Sequence, residues 1–350
     1  MPLKLILKLV PFLLLGQLAY AQSQSQPQPA PEAYDPNAPT FRDMRDTNQR
    51  QTDFVIPSEN PMTPEKILLG KMLFFDPRLS GNNAMSCATC HNPDLGWSDG
   101  LPRAIGNGGK VLQRRTPSLF NVALSNRLQW DIEFDRLEDQ ALAPIRKKNE
   151  MNQDLKLLPA EIKAIPGYLP LFEKAFPGEE ISTLTIARAL ASFQRTIISG
   201  ESPFEEFLKG NDNAMSIDAK MGMLLFKGKA ACGLCHFGWK FSDDGAYNIG
   251  VKSDDRGIAV SKKDKSMNFM FRNTRLLDVA THPPYMHDGS LPDLAAVVAF
   301  YNRGGDVKRP NLSKDMKPRN LTPREEAQLV AFLNSLTSKN SRFERPTLPE

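Results

Sequence analysis

The sequence has few cysteines and few histidines, four of each in 350 residues, and it has no large excess of charge of one sign. Lys and Arg number 44 and Asp and Glu 40, so the formal net charge is only +4, which excludes a nucleic-acid role and gives no support for binding to anionic lipid. The hydrophobic fraction of 41% excludes a chain that is disordered throughout. At roughly 150 residues per domain, the length predicts about two domains.

Beyond the N-terminus the sequence lacks an apolar run long enough to cross a bilayer. Lys4 and Lys8 precede and interrupt a short apolar run that ends at residue 15, and Ala19-Tyr20-Ala21 then supplies the small-x-small pattern that signal peptidase requires. We therefore predict a signal peptide at 1–21, cleavage after Ala21 and export to the periplasm, with a membrane-anchored form as the alternative. Residues 22–52 are rich in Pro and Gln and are predicted to be an unstructured tether.

Alternating apolar and polar runs, the pattern of half-buried strands, are scarce, whereas signals for helix starts are frequent. Thr63 precedes a proline and a helical apolar pattern, and similar signals occur near Ser182, Ser216 and Thr322. Glu325 follows the last of these at the spacing of a capping box. The predicted fold class is therefore mostly α, with long loops rich in Pro and Gly.

The four cysteines and half of the histidines form two copies of one motif, C-x-x-C-H: Cys87, Cys90 and His91 in the first copy, and Cys232, Cys235 and His236 in the second. Four cysteines in an exported protein could instead form disulfides, and a single copy could be a redox pair or part of a zinc site. Two copies favour covalent haem c, in which the thiols form thioether bonds and the histidine binds iron. We predict two haem c groups, with His91 and His236 as iron ligands.

The two halves of the sequence resemble each other beyond the haem motifs. The matching segments are 70–74 with 222–226, 97–100 with 241–245, 115–123 with 272–280, and Trp130-Asp131 with His287-Asp288. These matches predict two cytochrome c-like haem domains related by internal duplication, at 53–200 and 201–350. The boundary falls in a helix-breaking stretch at 199–203.

The sequence resembles the bacterial di-haem cytochrome c peroxidase and MauG superfamily from about Asp53 to about Leu336. The resemblance is carried by the paired C-x-x-C-H, Trp130-Asp131 followed by Leu137-Glu138-Asp139-Gln140-Ala141, the pair Glu150-Met151, and Pro284-Tyr285-Met286-His287-Asp288-Gly289-Ser290. It implies that peroxide reacts at the N-terminal haem and that the C-terminal haem stores electrons. It also implies that Trp130 relays electrons between them.

The resemblance implies two further residues at the peroxidatic haem. Glu150 matches the distal glutamate that accepts and returns a proton as the O–O bond breaks. Gln140 matches a glutamine that lines the same pocket. Taken alone, Glu150 reads as a solvated carboxylate in the charged stretch 146–150, and the ten-residue spacings from Trp130 through Gln140 support the family role.

A departure from the ordinary peroxidases concerns the sixth ligand of the first haem. Those peroxidases have a histidine sixteen residues after the proximal one, and this sequence has Asn107 there. The other histidines, His282 and His287, both lie in the second half. We therefore predict a five-coordinate first haem that is open to peroxide in the ferric state.

The second departure is at the C-terminal haem, where Tyr301 replaces the methionine of ordinary members, as in MauG-type enzymes. A phenolate ligand lowers the potential of the haem relative to a His/Met pair. The alternative is that Tyr301 is a helix-face aromatic and that Met286, Met270 or Met316 binds the iron. His287 matches a residue that lies near the second haem without binding iron.

Other departures limit what the resemblance implies. His282 and Pro284 match the carbonyl donors of a calcium site, but Arg115 replaces the asparagine that completes it, so calcium is doubtful and the guanidinium is a candidate replacement. The Trp-Asp-Gly-Arg of the family becomes Trp-Asp-Ile-Glu at 130–133, which predicts a differently shaped loop. Ala230 stands where MauG has a tryptophan that passes holes to its partner, leaving Trp97 and Trp239 as alternative relay aromatics, for which packing is the simpler role.

These inferences favour a MauG-like periplasmic enzyme that uses hydrogen peroxide to oxidise a protein partner through Trp130 and the second haem. The first alternative is a peroxidase that takes electrons from a small cytochrome c or a cupredoxin. The second is a non-enzymatic di-haem electron carrier. The partner surface has no recognisable motif.

Overall fold

The computed structural model describes residue 50 and residues 54–125, 127–339 and 342–350, so the predicted signal peptide and nearly all of the tether lie outside the described residues. The helices are α1 Pro64–Phe75, α2 Cys87–Cys90, α3 Leu137–Arg146, α4 Leu158–Lys163, α5 Leu169–Ala175, α6 Thr183–Gln194, α7 Pro203–Leu208, α8 Ile217–Lys227, α9 Ile258–Ser261, α10 Leu294–Asn302 and α11 Pro323–Ser335. The strands are β1 Ala246–Tyr247 and β2 Phe271–Arg272, which pair antiparallel. The mostly α fold class is confirmed. Within the described ranges, no helix is long and apolar enough to span a membrane.

The predicted helix starts are confirmed at the level of capping side chains. The Thr63 side chain accepts a hydrogen bond from the backbone N–H of Lys66, and Ser182 and Ser216 cap α6 and α8 in the same way. Thr322 and Glu325 form the reciprocal bonds of a capping box at the start of α11. Each cap satisfies backbone donors that the first helical turn leaves free.

The described residues form two hydrophobic cores that are built alike. The first lies within residues 69–197, where α1 packs on α6, and the second lies within 204–336, where α8 packs on α11. A glycine at each helix crossing, Gly70 and Gly222, brings the two helices close together. Next to the crossings, the rings of Phe74 and Phe193 and those of Phe226 and Phe332 have the same centroid separation, 5.2 Å.

We expect Gly222→Ala to lower the free energy of unfolding by about 1–3 kcal/mol. An alanine Cβ at this position would overlap the backbone carbonyl oxygen of Gln328 on α11, which cannot move without distorting that helix. Chemical denaturation of the purified protein measures the change. The control is Gly200→Ala, because its Cβ would meet ordinary van der Waals contacts only. Equal stability of the two variants would contradict this account of the crossing.

The two cores are joined by a pair of backbone hydrogen bonds that mirror each other. The Arg115 N–H donates to the carbonyl oxygen of His287 at 2.8 Å, and the Arg272 N–H donates to that of Trp130 at 2.9 Å. Arg115 and Arg272 open matching repeat segments, and Trp130 and His287 are matching positions as well. The residues around Trp130 and His287 are therefore held against each other by main-chain atoms.

Candidate functional site: two histidine-bearing cavities

The first cavity has a volume of about 440 Å³ and is lined by both cysteines and the histidine of the first C-x-x-C-H motif. The short helix α2 places them, and the His91 N–H continues its last turn by donating to the carbonyl oxygen of Cys87 at 2.8 Å. His91 Nδ1 lies 3.0 Å from the carbonyl oxygen of Trp97. Burial lowers the pKa of His91, which keeps the imidazole neutral and leaves Nε2 free to bind iron.

The second cavity, of about 210 Å³, repeats this arrangement around the second motif. His236 Nδ1 lies 2.8 Å from the carbonyl oxygen of Phe241, and burial lowers the pKa of the imidazole. Cys232 and Cys235 line the cavity beside it. Both motifs thus present a neutral, oriented histidine and two thiols to an apolar cavity, which fits a covalently attached haem.

The competing interpretations of the cysteines find no support in this geometry. No disulfide joins any two of the four cysteines. In the part of the chain that the structure describes, no group of three or more His, Cys, Asp or Glu side chains could hold a metal ion. Burial raises the pKa of Cys87 and of Cys232 to about 12 and that of Cys90 to about 11, which disfavours the thiolate form that a redox pair uses.

The three predicted catalytic residues, Trp130, Gln140 and Glu150, all line the first cavity with His91. Gln140 projects from α3, and Glu150 lies in the turn that follows this helix. A backbone hydrogen bond holds this turn in place: the Asn107 N–H donates to the Glu150 carbonyl oxygen at 2.8 Å. The Glu150 side chain lines the cavity and, at 26% exposed, also keeps some contact with solvent.

Asn107, which stands where ordinary peroxidases carry a sixth ligand, is not among the residues that line the first cavity. His91 is the one histidine in that lining as far as the structure describes it. The side chain at 107 therefore offers no ligand to an iron bound at His91.

We expect the ferric holoprotein to show one high-spin and one low-spin haem by electron paramagnetic resonance. A five-coordinate iron at His91 is high-spin because its distal side has no strong ligand. Two low-spin signals without a high-spin one would contradict the prediction. Met85 and Met151, which also line the cavity, would then be the candidate ligands.

Tyr301 lies on α10 and lines the second cavity with His236. Burial is the main cause that raises the pKa of its phenol, and the neighbouring cysteines raise it further. Loss of its proton therefore requires a cation such as iron nearby. Of the alternative ligands, Met286 and Met316 line this cavity and Met270 does not. The geometry therefore retains Tyr301 as a candidate and narrows the alternatives to two.

Trp130 lines both cavities and so stands where they approach each other. Its indole Nε1 donates to the Arg115 carbonyl oxygen at 3.0 Å. Its ring meets that of His287 edge to face at 6.5 Å. His287 lines the second cavity, stacks on Phe271 at 3.7 Å, and lies 3.1 Å through Nε2 from the Ser253 hydroxyl. Burial lowers the pKa of His287 to about 4, so it is a neutral hydrogen-bonding group at neutral pH.

The guanidinium of Arg115 contacts the segment for which the sequence resemblance implied a calcium site. Its Nη2 donates to the carbonyl oxygen of His282 at 2.7 Å and to the Ser98 hydroxyl at 3.1 Å. The side chain is buried, and burial lowers its pKa to about 10, so it remains a cation at neutral pH. His282 itself lines neither cavity.

The loop after Trp130 has a backbone conformation that favours glycine, although glycine is absent. Ile132 has φ of +53°, in the left-handed region that β-branched residues rarely adopt. Glu133, the next residue, lines the first cavity and lies 4.0 Å from Lys147. The Ile-Glu pair thus places a carboxylate at the cavity and a β-branched residue in the left-handed region.

The alternative relay aromatics pack away from the cavities. Trp97 is buried and contacts the rings of Phe74, Phe193 and Phe343, and it lines neither cavity. Trp239 is partly buried against the second core. Packing is therefore the role that the structure gives to both side chains.

Sequence reasoning missed Arg272, which lines both cavities. It appeared only as the first residue of a repeat segment, aligned with Arg115. That alignment was the available signal, because an arginine stands at the first position of both matching segments.

Comparison with known proteins gives a consistent result. The profile of the di-haem cytochrome c peroxidases matches residues 64–213. Methylamine utilization protein MauG of Methylorubrum extorquens is 48% identical over 297 residues, which cover 84% of each chain. The MauG of Methylophilus methylotrophus is 41% identical over 310 residues, 87% of this chain and 92% of the relative. A solved MauG-like protein associated with microbial copper homeostasis superposes with a TM-score of 0.77 at 28% identity, covering 88% of this chain and 96% of its own.

Proposed function

The chain belongs to the di-haem cytochrome c peroxidase and MauG family and is a di-haem peroxidase-type oxidoreductase, and within that class we propose a MauG-like enzyme that uses hydrogen peroxide to oxidise a protein partner. The cofactors are two covalently bound haem c groups, one at Cys87, Cys90 and His91 and one at Cys232, Cys235 and His236. The proposed site of action is the periplasm, after removal of residues 1–21. The proposed partners are hydrogen peroxide and either a protein substrate or a small redox protein.

The observation that carries this proposal is the position of Trp130, which lines both cavities. When bound, the haem at His91 supplies the redox chemistry that reduces peroxide. Glu150 accepts a proton from the incoming peroxide and returns it to the leaving oxygen, while Gln140 orients the peroxide by hydrogen bonding. Trp130 then provides the aromatic path through which the second cavity shares the oxidising equivalents.

Two features favour the MauG-like enzyme over a peroxidase that draws electrons from a small cytochrome c or a cupredoxin. With Asn107 in place of a histidine, an iron bound at His91 would have no second histidine ligand. Tyr301 would offer a phenolate to an iron bound at His236. A phenolate lowers the haem potential, which weakens the haem as an acceptor for a small donor protein and favours retention of an oxidising equivalent.

The proposed architecture is two haem domains, 53–200 and 201–350, related by internal duplication. Support comes from the paired helix crossings at Gly70 and Gly222 and from the matching contacts of His91 with Trp97 and of His236 with Phe241. In place of calcium we propose the Arg115 guanidinium, because its contact with the His282 carbonyl oxygen supplies positive charge where the family uses a cation.

Turnover of the holoprotein with peroxide tests the proposal. We expect slow peroxide consumption with reduced cytochrome c or cupredoxin, together with a long-lived near-infrared band that reports charge shared between the haems. Rapid, sustained consumption with such a donor would instead establish the peroxidase alternative. Failure of both haems to bind carbon monoxide or cyanide would establish the electron carrier.

A further inference from the structure

Arg272 is a buried cation at the junction of the two cavities. It is 9% exposed and lines both of them. Although its backbone belongs to the second half, its Nη1 donates to the carbonyl oxygen of Arg127 in the first half at 2.7 Å. The side chain is thus aimed toward the loop that carries Trp130.

The Arg272 guanidinium has no compensating anion among the described residues. It forms no ion pair there, and its Nε has no hydrogen-bond partner. The nearest carboxylate that influences it is Asp244, which already binds Lys240 and accepts from Ser125 at 2.9 Å. A second buried arginine, Arg275, lies 3.9 Å from the same carboxylate, so cations outnumber anions at this place.

A buried cation without a counter-ion is costly, so a negative group is expected to reach it in the complete protein. Burial lowers the pKa of Arg272 to about 9, which leaves the guanidinium charged at neutral pH. Each haem c carries two propionate carboxylates on the edge opposite the vinyl groups that the cysteines bind. Propionates are therefore the anions that the cofactors bring into these cavities.

We propose that Arg272 binds a propionate of the haem held at His91, so that an arginine of the second half anchors the cofactor of the first. Two observations select the first cavity. The Arg272 Nη1 contact with Arg127 draws the side chain toward the first half, and Arg115, which lines the first cavity and not the second, also has a buried Nε without a partner. The proposal rests on the two-haem assignment.

The charge pair has a defined effect on the haem at His91. A propionate bound to a guanidinium remains ionised over the working pH range, and its negative charge is neutralised, so the midpoint potential is insensitive to pH. Without the guanidinium, the bare propionate stabilises ferric iron at high pH. As the pH falls, the buried propionate takes up a proton and the potential rises again.

The test is potentiometry of the holoprotein from pH 5 to 9 on Arg272→Gln. We expect the ferric-to-ferrous ratio of the first haem at a fixed potential to rise about tenfold at high pH, equivalent to about 59 mV for one electron. We expect this difference to shrink toward low pH. Arg275→Gln is the matched control, because it removes a buried cation nearby that lines neither cavity.

The outcomes separate the proposal from its alternatives. Equal shifts in both variants would show a general charge effect, and a shift confined to the second haem would place the propionate in the other cavity; either result overturns the proposal. If Arg272→Gln does not assemble, Arg272→Lys retains charge but lacks the Nε donor. We expect a smaller shift of the same sign, and no shift would overturn the proposal. Haem content, measured on the same samples, tests the two-haem assignment independently.

Discussion

Replacing Glu150 by glutamine is expected to slow the reaction of the holoprotein with peroxide by ~10²- to 10⁴-fold, the usual contribution of a general acid–base group. Glutamine has nearly the same shape as glutamate but cannot accept the proton of the incoming peroxide. The backbone contact between Asn107 and Glu150 is retained in the variant, so the turn keeps its place. Stopped-flow absorbance of the haems after mixing with peroxide measures the rate.

Glu133→Gln is the matched control for this experiment. Glu133 also lines the first cavity, and it shares Lys147 with Glu150 as a cationic neighbour, at 4.0 Å and 3.4 Å respectively. We expect this variant to react at close to the wild-type rate, because its carboxylate is not the proton acceptor. Equal slowing in both variants would mean that cavity charge, and not proton transfer by Glu150, controls the reaction.

Replacing Tyr301 by methionine is expected to raise the midpoint potential of the second haem by a few tenths of a volt, within the range that axial ligands span. A thioether stabilises ferrous iron, whereas a phenolate stabilises ferric iron. The higher potential should speed electron uptake from small reduced cytochromes and shorten the life of the oxidised state produced by peroxide. Spectropotentiometric titration measures the first effect, and stopped-flow spectroscopy measures the second.

Tyr285→Phe controls for loss of a hydroxyl group in the same cavity. The Tyr285 hydroxyl donates to the carbonyl oxygen of Val279 at 3.0 Å and lies on a separate segment from Tyr301. Its removal should leave the potential of the second haem unchanged. An unchanged spectrum and potential in Tyr301→Phe would assign the sixth ligand to Met286 or Met316, which line the same cavity.

Features of this protein that depend on neighbouring residues could be predicted from the sequence. A cap such as Thr322 with Glu325 forms within four residues, so its pattern identifies the start of α11 directly. The C-x-x-C-H spacing similarly fixes two thiols and an imidazole on one short turn. The proposed roles of Glu150 and Gln140 needed the resemblance, because a carboxylate in a charged stretch carries no local sign of facing a cavity.

Features that depend on contacts between distant segments could not be predicted. The Arg272 side chain donates to the carbonyl oxygen of Arg127, 145 residues away, and no sequence pattern around either residue indicates the contact. The left-handed conformation of Ile132 contradicts the usual preference of a β-branched residue and is imposed by the surrounding fold. The resemblance led only to the hypothesis that the Arg115 guanidinium takes the electrostatic role of calcium, whereas its contact with the His282 carbonyl oxygen joins residues 167 positions apart.

The mirrored hydrogen bonds from Arg115 to His287 and from Arg272 to Trp130 involve backbone atoms only. Side-chain substitutions at these four positions therefore leave the donors and acceptors in place. It follows that the main chain holds the two cavities together at this junction, whatever side chains stand there. In the proposed two-haem enzyme, Arg272→Gln should therefore change the charge beside the first cavity and leave the spacing of the two cavities as it is.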